Sequence, residues 1–349
     1  MTVLPTSLVC PRCRRDLERR PQAYRCARCG LIYPIVCGIP DLRLRSDRYL
    51  SVEAERAKAE ALHRLAKGAS LEALVAHYYA ITDDVPPMLA ARYIAYVRSA
   101  PERARSIVDD LAPDPGMDRL IDLGCGTGGL VAAASSRCRA VVGLDIALRW
   151  LVIARKRLEE LGVDAELVCA DVETPPFPDD SFSQGVAADL IEHVYDPGRA
   201  LGAIRRLLQP GGTVWLSAIN RYCPGPHPST GVWGVGYLPA AWRRAIRRKL
   251  RGIDSLRYTH LVSPGAAARL CRQQGLEVMT VRPRRVDTAA GAERLPLERT
   301  LLAGYRALHG RPWLSPVLVR LGPGFEILCR RPALQAASAE GARDRCVSA

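Results

Sequence analysis

Residues 119–130, RLIDLGCGTGGL, constrain the fold more than any other stretch of this chain. A short apolar run ends in a cluster of glycines at 124, 126, 128 and 129. A strand that breaks into glycines and then a helical pattern is the opening of a β–α–β unit. The residues that follow repeat that rhythm. Strands are predicted at DRLIDL, AVVGLD, AELVCA, GVAADL and TVWLSAIN. Helical patterns at 127–137, IALRWLVIARKRLEEL and PGRALGAIRRLLQ lie between them, and PGG marks a turn before the fifth strand. Further on, SPGAAARLCRQQG predicts a helix, LEVMTVRP a strand and GFEILCRR a last strand. The expected fold is α/β: a doubly wound, mostly parallel, seven-stranded Rossmann-like sheet with helices on both faces.

The charges beside the glycines say what such a site can hold. Gly124, Gly126 and Gly129 satisfy G-x-G-x-x-G, and Gly124, Gly126 and Gly128 satisfy G-x-G-x-G. Asp122 stands two residues ahead of the first glycine. A phosphate about 4 Å from it would be repelled by roughly 4 kcal/mol at an effective dielectric of 20. A ligand with an ammonium group there and no phosphate is attracted instead. Asp145 ends the second strand, where a carboxylate can accept from ribose hydroxyls, as it also does in NAD enzymes. Asp171 lies just past the third strand, within reach of an adenine amino group. One acidic residue after a strand is an ordinary turn or cap. Three at successive strand ends point to a cationic adenosine compound.

LIDLGCGTGG, VVGLDIA, CADVETPPFPDDSFS, LIEHVYDP and LQPGGTVWLS, in this order, resemble the successive motifs of class I S-adenosylmethionine (SAM)-dependent methyltransferases. The group they resemble most is the ubiquinone/menaquinone-biosynthesis type, over roughly 115–220 and more loosely 260–330. The resemblance implies that Asp122, Gly124, Gly126 and Gly128 hold the methionine end of SAM. It implies Asp145 and Ile146 for the ribose, and Asp171 and Val172 for the adenine. Members of the group have an aspartate where this chain has Ser183. His193, at the substrate-facing end of the fourth strand, is the candidate general base for an O- or N-methylation. Its alternative role is structural packing beside the cofactor. His227 and His260 are weaker candidates. Tyr78 and Tyr79 resemble a segment that closes over the cofactor, with helix packing as the alternative.

The N-terminal forty-odd residues form a separate unit. Cys10, Cys13, Cys26 and Cys29 give C-x2-C-x12-C-x2-C. Two such pairs close a tetrahedral, structural Zn2+ site with no open position. Cys37 is expected as a packed thiol. With LIYPIVCGIPDL following, this unit resembles the small zinc-binding activator of tRNA, rRNA and translation-factor methyltransferases. A zinc module also precedes the core of a bacterial rRNA guanine methyltransferase group. The expected organisation is a zinc ribbon over 1–48, a helical linker or cap over 49–114, and a methyltransferase domain over 115–332. A lid insertion is expected at 221–262 and a disordered tail at 333–349.

Composition narrows the partners. The net charge of +14 suits nucleic acid, acidic membrane surfaces or small anions, or simply a solvated arginine-rich surface. Aromatics are 6% of the chain, too few for an obvious base-stacking platform. No apolar run approaches the ~18 residues of a membrane span. The start lacks the regions of a signal peptide, so a cytoplasmic enzyme is expected. WRRAIRRKLR, 242–251, suits an amphipathic helix on an anionic membrane, a phosphate-binding face or a solvated helix. The expected acceptor is a small-molecule, lipid-linked or glycan-type metabolite, with O- against C- or N-methylation left open. The alternatives are an RNA methyltransferase (rRNA or tRNA) and a non-catalytic SAM-fold scaffold. The amide- or amine-methylating motif N/D-P-P-Y is missing after the fourth strand, which reads ADLIEH.

Overall fold

A computed structural model describes residues 7–82, 87–111, 117–226, 232–239, 241–243, 245, 259–286 and 296–333. His227, most of the basic stretch 242–251 and residues 334–349 of the expected tail lie outside the described residues.

The chain begins with a small antiparallel sheet: β1 (Leu17–Arg20), β2 (Ala23–Cys26), β3 (Ile32–Val36) and β4 (Ile39–Pro40). Its two cysteine loops share one backbone design. Arg14 N–H donates to the Cys10 carbonyl at 2.8 Å, and Gly30 N–H to the Cys26 carbonyl at 3.0 Å. Both donors are left-handed, with φ of 63° and 71°. Glycine takes that conformation freely, whereas an arginine there is strained. Arg14 is held by what its side chain reaches. Its guanidinium donates to the carbonyls of Pro175 and Phe177 at 2.9 and 2.7 Å and to Asp179 at 2.8 Å.

Four helices follow: α1 (Val52–Ala66), α2 (Leu71–Ala80), α3 (Pro87–Arg98) and α4 (Ala100–Leu111). Ser51 and Ser70 cap α1 and α2 by accepting from the N–H groups of Ala54 and Ala73. Such caps satisfy amide donors that the first turn leaves free.

Next come β5 (Met117–Leu123), α5 (Gly129–Ala134), β6 (Cys138–Asp145), α6 (Leu148–Leu161), β7 (Glu166–Cys169), β8 (Phe182–Ala188), α7 (Pro197–Leu207) and β9 (Leu208–Ile219). After the partly described insertion come α8 (Pro264–Gln273), β10 (Glu277–Pro283), α9 (Pro296–His309), α10 (Ser315–Leu321) and β11 (Gly324–Arg330). Among the described residues they build one seven-stranded sheet in the order β10-β11-β9-β8-β5-β6-β7. β7, β6, β5, β8 and β9 are parallel, while β11 runs antiparallel between β9 and β10. The chain winds outward from β5 through β6 and β7, then returns to β8. That reversal opens a crevice at the strands' C-terminal ends, where ligands bind in such sheets.

One expected turn is absorbed into a strand. Pro210, Gly211 and Gly212 fall within β9, yet they interrupt its ladder. Phe182 pairs with Leu208, and pairing resumes only at Gln184 with Thr213. The extra residues bulge around Gly211, whose φ is 82°. Ser183, where the resembled group has aspartate, clasps β5: its hydroxyl donates to the Arg119 carbonyl at 3.0 Å and accepts from the Arg119 N–H at 3.3 Å.

Each face of the sheet has its own core. Leu62, Leu74, Leu130, Leu148 and Leu151 pack beneath the helices on one side. Phe177, Phe182, Leu201, Leu207 and Phe325 pack on the other, continuous with the small sheet through Cys10, Cys26, Tyr33 and Leu42. The two sheets also join through the backbone. Leu42 N–H donates to the Cys169 carbonyl at 2.8 Å, and Asp41 bridges Cys169 in parallel, covering the edge of β7. An uncovered edge strand invites pairing with other chains.

Arg14→Ala removes three charge-assisted contacts between the small sheet and the 175–179 loop. The side chain is 34% exposed, which weakens the Asp179 pair. The full chain should lose about 1–2 kcal/mol in urea unfolding. An unchanged midpoint would show that the apolar contacts alone hold the unit.

Candidate functional site

The glycine turn after β5 is shaped by backbone geometry. Gly124, Gly126 and Gly128 have φ of 75°, 50° and 71°. An L-residue pays roughly 1–2 kcal/mol for each such conformation. A Cβ on Gly128 would lie 2.9 Å from the Ala154 Cβ, so this glycine lets α5 approach α6. A Cβ on Gly126 would meet nothing within 4 Å, which leaves the backbone open for a ligand to approach. The loop is tied to β6: Gly124 and Cys125 N–H groups donate to the Leu144 carbonyl at 2.7 and 3.0 Å.

Three carboxylates stand at the ends of β5, β6 and β7. Asp122 is buried, and burial followed by the like charge of Asp145 pushes its carboxyl up to about 8. Among the described residues no neighbouring cation offsets either cause. Asp145 accepts from Gly126 N–H and Ala147 N–H, each at 2.8 Å. Burial still raises its carboxyl above the usual range, against those two hydrogen bonds. Each of its oxygens keeps accepting capacity for a further donor. Ile146 follows, half-buried, with its carbonyl accepting from Arg43 at 3.3 Å.

Asp171 is engaged differently. Its Oδ1 accepts from Glu173 N–H at 2.9 Å, and its Oδ2 pairs with Arg45 at 2.5 Å. Arg45 also reaches Glu173 at 2.9 Å and lies 3.9 Å from the centre of the Tyr195 ring. Val172 is buried beside it. The segment leaving the small sheet, residues 41–50, thus runs along the ends of β6 and β7. Arg43 is locked in it by Asp41, with both Nε and Nη2 bonded at 2.8 Å. The arginines of LRLRSDRYL carry no motif, so sequence reasoning missed them.

A second group gathers after β8. Asp189 has a φ of 51°, a left-handed conformation costing about 1–3 kcal/mol outside glycine. Its N–H donates to the Ser217 carbonyl at 3.1 Å. Arg284, on the loop after β10, grips its carboxylate at 2.5 and 2.7 Å. Burial opposes its charge, but the Arg284 pairing wins and holds Asp189 below the usual carboxylate range. Glu192 is buried next to it. Its Oε1 accepts from Ile219 N–H at 3.1 Å, while Oε2 has no hydrogen-bond partner among the described residues. Burial and Asp189 together push its carboxyl up to about 8.

His193 projects from the same loop. The residue is exposed, beside the braced carboxylate of Asp189. Burial first, then the charges of Arg48 and His260, lower it below the ordinary histidine value against the pull of Asp189. His260, at the return of the insertion, packs on this loop. Its N–H donates to the Glu192 carbonyl at 2.7 Å, and its Nε2 lies 3.0 Å from the Val194 carbonyl oxygen. That second contact requires a proton on Nε2, so Nε2 serves as donor and not as base.

Tyr78 and Tyr79 take the packing alternative. They are buried against Trp150, with ring centres 4.5 and 6.3 Å away. Tyr78 also receives a hydrogen bond from Arg149, which is paired with Asp47 and Glu55. The α1–α2 layer is thereby fixed on α6.

Cys10, Cys13, Cys26 and Cys29 converge, with all four sulfur atoms within 4.8 Å of one another. Cys10 and Cys29 are 3.6 Å apart, and Cys13 and Cys26 3.4 Å. The Tyr33 hydroxyl closes one side, 3.2 Å from the Cys10 Sγ.

Comparison with known proteins agrees with this geometry. Residues 121–216 match the model of a methyltransferase domain. A ubiquinone biosynthesis O-methyltransferase of Thiobacillus denitrificans is 33% identical over 172 residues, 49% of this chain and 68% of that one. A demethylmenaquinone methyltransferase of Thermus thermophilus is 34% identical over 37% of this chain and 56% of its own length. A SAM-dependent methyltransferase structure from Mesorhizobium loti superposes with a TM-score of 0.45 at 21% identity, covering 65% of this chain and 96% of that one. With strand order, acidic strand ends and sequence relatives in agreement, the chain belongs to the class I SAM-dependent methyltransferases.

Proposed function

We propose that this methyltransferase O-methylates a small, lipid-linked acceptor, with His193 as general base. The observation that carries the reading is the loop after β8, where an exposed histidine held below its ordinary value stands beside a carboxylate braced by Arg284. The residues fit SAM: Asp122 is a buried acid without a cation, and the Gly126 backbone is open. Asp122, Gly124, Gly126 and Gly128 would hold the methionine end, Asp145 and Ile146 the ribose, and Asp171 and Val172 the adenine. When bound, SAM supplies an electrophilic methyl group on a good leaving group. The chain's own residues orient the acceptor and take its proton. Orientation can lower such a barrier by roughly 7–11 kcal/mol, and a general base adds about 10²–10⁴-fold. Arg284 and Ser217 hold Asp189 rigid, and its charge favours the imidazolium that forms when His193 accepts the proton.

The four cysteines would hold a structural Zn2+. Tetrahedral coordination with Zn–S of about 2.3 Å sets the sulfurs roughly 3.8 Å apart. The observed separations lie close to that. A second reading, RNA methylation, draws on the exposed Arg12, Arg15, Arg19, Arg25 and Arg28 of the small sheet.

Purified protein given methyl-labelled SAM should label a lipid or small-molecule extract and leave total RNA unlabelled. His193→Ala should lower kcat by about 10²–10⁴-fold with little change in SAM affinity, and remove the acid limb of the pH profile. Because His193 is lowered, the wild-type limb should fall below about pH 6.5. Labelled RNA would select the second reading, and no SAM binding at all a non-catalytic scaffold. For the cysteines, elemental analysis should find one zinc per chain, lost in Cys26→Ser with a lower melting temperature. Metal-free protein of unchanged stability would refute the zinc site.

A further inference from the structure

The helical hairpin α9–α10 presents an apolar and basic surface that the proposed chemistry does not use. Trp313, at the turn between the helices, is 72% exposed. Leu297, Leu301, Val317 and Leu321 are 48–60% exposed. Leu297, Leu301 and Leu308 are spaced by four and seven residues and so share one side of α9. Val317 and Leu321 share one side of α10 by the same rule. Single exposed apolar residues need no explanation, but six of them between residues 297 and 321 are more than scatter, and exposed apolar groups mark interaction sites.

The charges of the hairpin are mostly basic, with Glu298 in the first turn of α9 as its one carboxylate. Arg299, Arg306, Arg311 and Arg320 are all exposed, and no Asp or Glu occurs from 299 to 321. Beside it lies an apolar cavity of about 580 Å3, lined by Tyr222, Tyr237, Ala268, Val281, Val319 and Leu321 among others. Leu321 belongs both to the exposed face and to the cavity wall, so the cavity's rim is part of this surface. The hairpin is also anchored to the candidate site. Asn220, at the end of β9, donates to the carbonyls of Arg320 at 2.8 Å and Gly322 at 3.1 Å. Tyr305 donates to the carbonyl of Arg284 at 2.7 Å, and Arg284 in turn grips Asp189.

We propose that the α9–α10 hairpin docks this enzyme on an anionic phospholipid bilayer. Trp313, Val317 and the leucines enter the headgroup boundary, and the four arginines meet the lipid phosphates. Apolar side chains flanked by arginine, with a tryptophan at the boundary, are the chemistry of an interfacial membrane contact. A second copy of the chain fits less well, because a two-fold contact would set the same arginines against each other. Nucleic acid would meet the arginines but leave the leucine and valine faces uncovered. Docking there places the cavity's rim at the lipid surface. The proposal extends the reading of a lipid-linked acceptor, yet its test requires no methyl transfer.

The test is vesicle co-sedimentation of the full chain. Phosphatidylcholine vesicles containing phosphatidylglycerol should retain the protein, and phosphatidylcholine alone should not. Added salt should weaken retention. Trp313→Ser with Val317→Ser should reduce retention by about tenfold or more, as should Arg299→Glu with Arg311→Glu. Both pairs are exposed, so the melting temperature and SAM affinity should not move. The proposal is overturned if the anionic vesicles fail to retain the wild type, or if neither pair of substitutions matters. It is also overturned if Trp313→Ser with Val317→Ser converts an oligomer to a monomer, or if RNA strips the wild type from vesicles by binding the same face. Failure of acceptor methylation with vesicle binding intact would refute the enzymatic reading alone.

Discussion

Two carboxyl groups at the ends of neighbouring strands, one buried and one half-buried, govern the rest of this structure. Asp122 and Asp145 sit where the sheet reverses direction, and burial with mutual repulsion lifts Asp122 to about 8. Keeping Asp122 ionised there without a cation costs on the order of 5 kcal/mol. A carboxyl raised above its unfolded value stabilises the fold at low pH. That contribution is lost as pH rises from about 4 towards 8. A phosphate would deepen the conflict, whereas an ammonium resolves it. The left-handed Gly126 serves the same end, because a Cβ there would meet nothing within 4 Å and the backbone stays open to a ligand.

The N-terminal unit is bound into the catalytic domain through arginine. Arg14 holds the loop after β7, Arg43 meets the end of β6, and Arg45 pairs with Asp171. In consequence the small sheet and the proposed adenine end of the site share one hydrogen-bonded network. Asp171, unlike Asp122, has a fixed cation beside it. Arg45 supplies it with a planar fork that lysine lacks.

Much of the fold was legible because periodicity and glycine placement report directly on backbone geometry. LIDLGCGTGG, VVGLD and CADV lie at successive strand ends as their alternation requires, and the paired cysteines converge as their spacing requires. Less legible were contacts between distant residues. Nothing near Arg284 or Asn220 announces that the first grips Asp189 or that the second secures α10, since those meetings depend on the order of β9, β10 and β11 in the sheet. The strained φ of Asp189 was equally hidden, because an aspartate in LIEH's neighbourhood reads as an ordinary turn. PGG read as a plain turn because glycine marks bulges and turns alike.

The central claim is that the acidic strand ends are built for a cation. It is tested most directly by titration calorimetry of SAM binding across pH. Affinity should rise with pH up to about 8, at most about tenfold per pH unit, with a proton released on binding and the dependence flattened in Asp122→Asn. Binding of SAM that ignores pH, or tighter binding of ATP or NAD to the same protein, would contradict it.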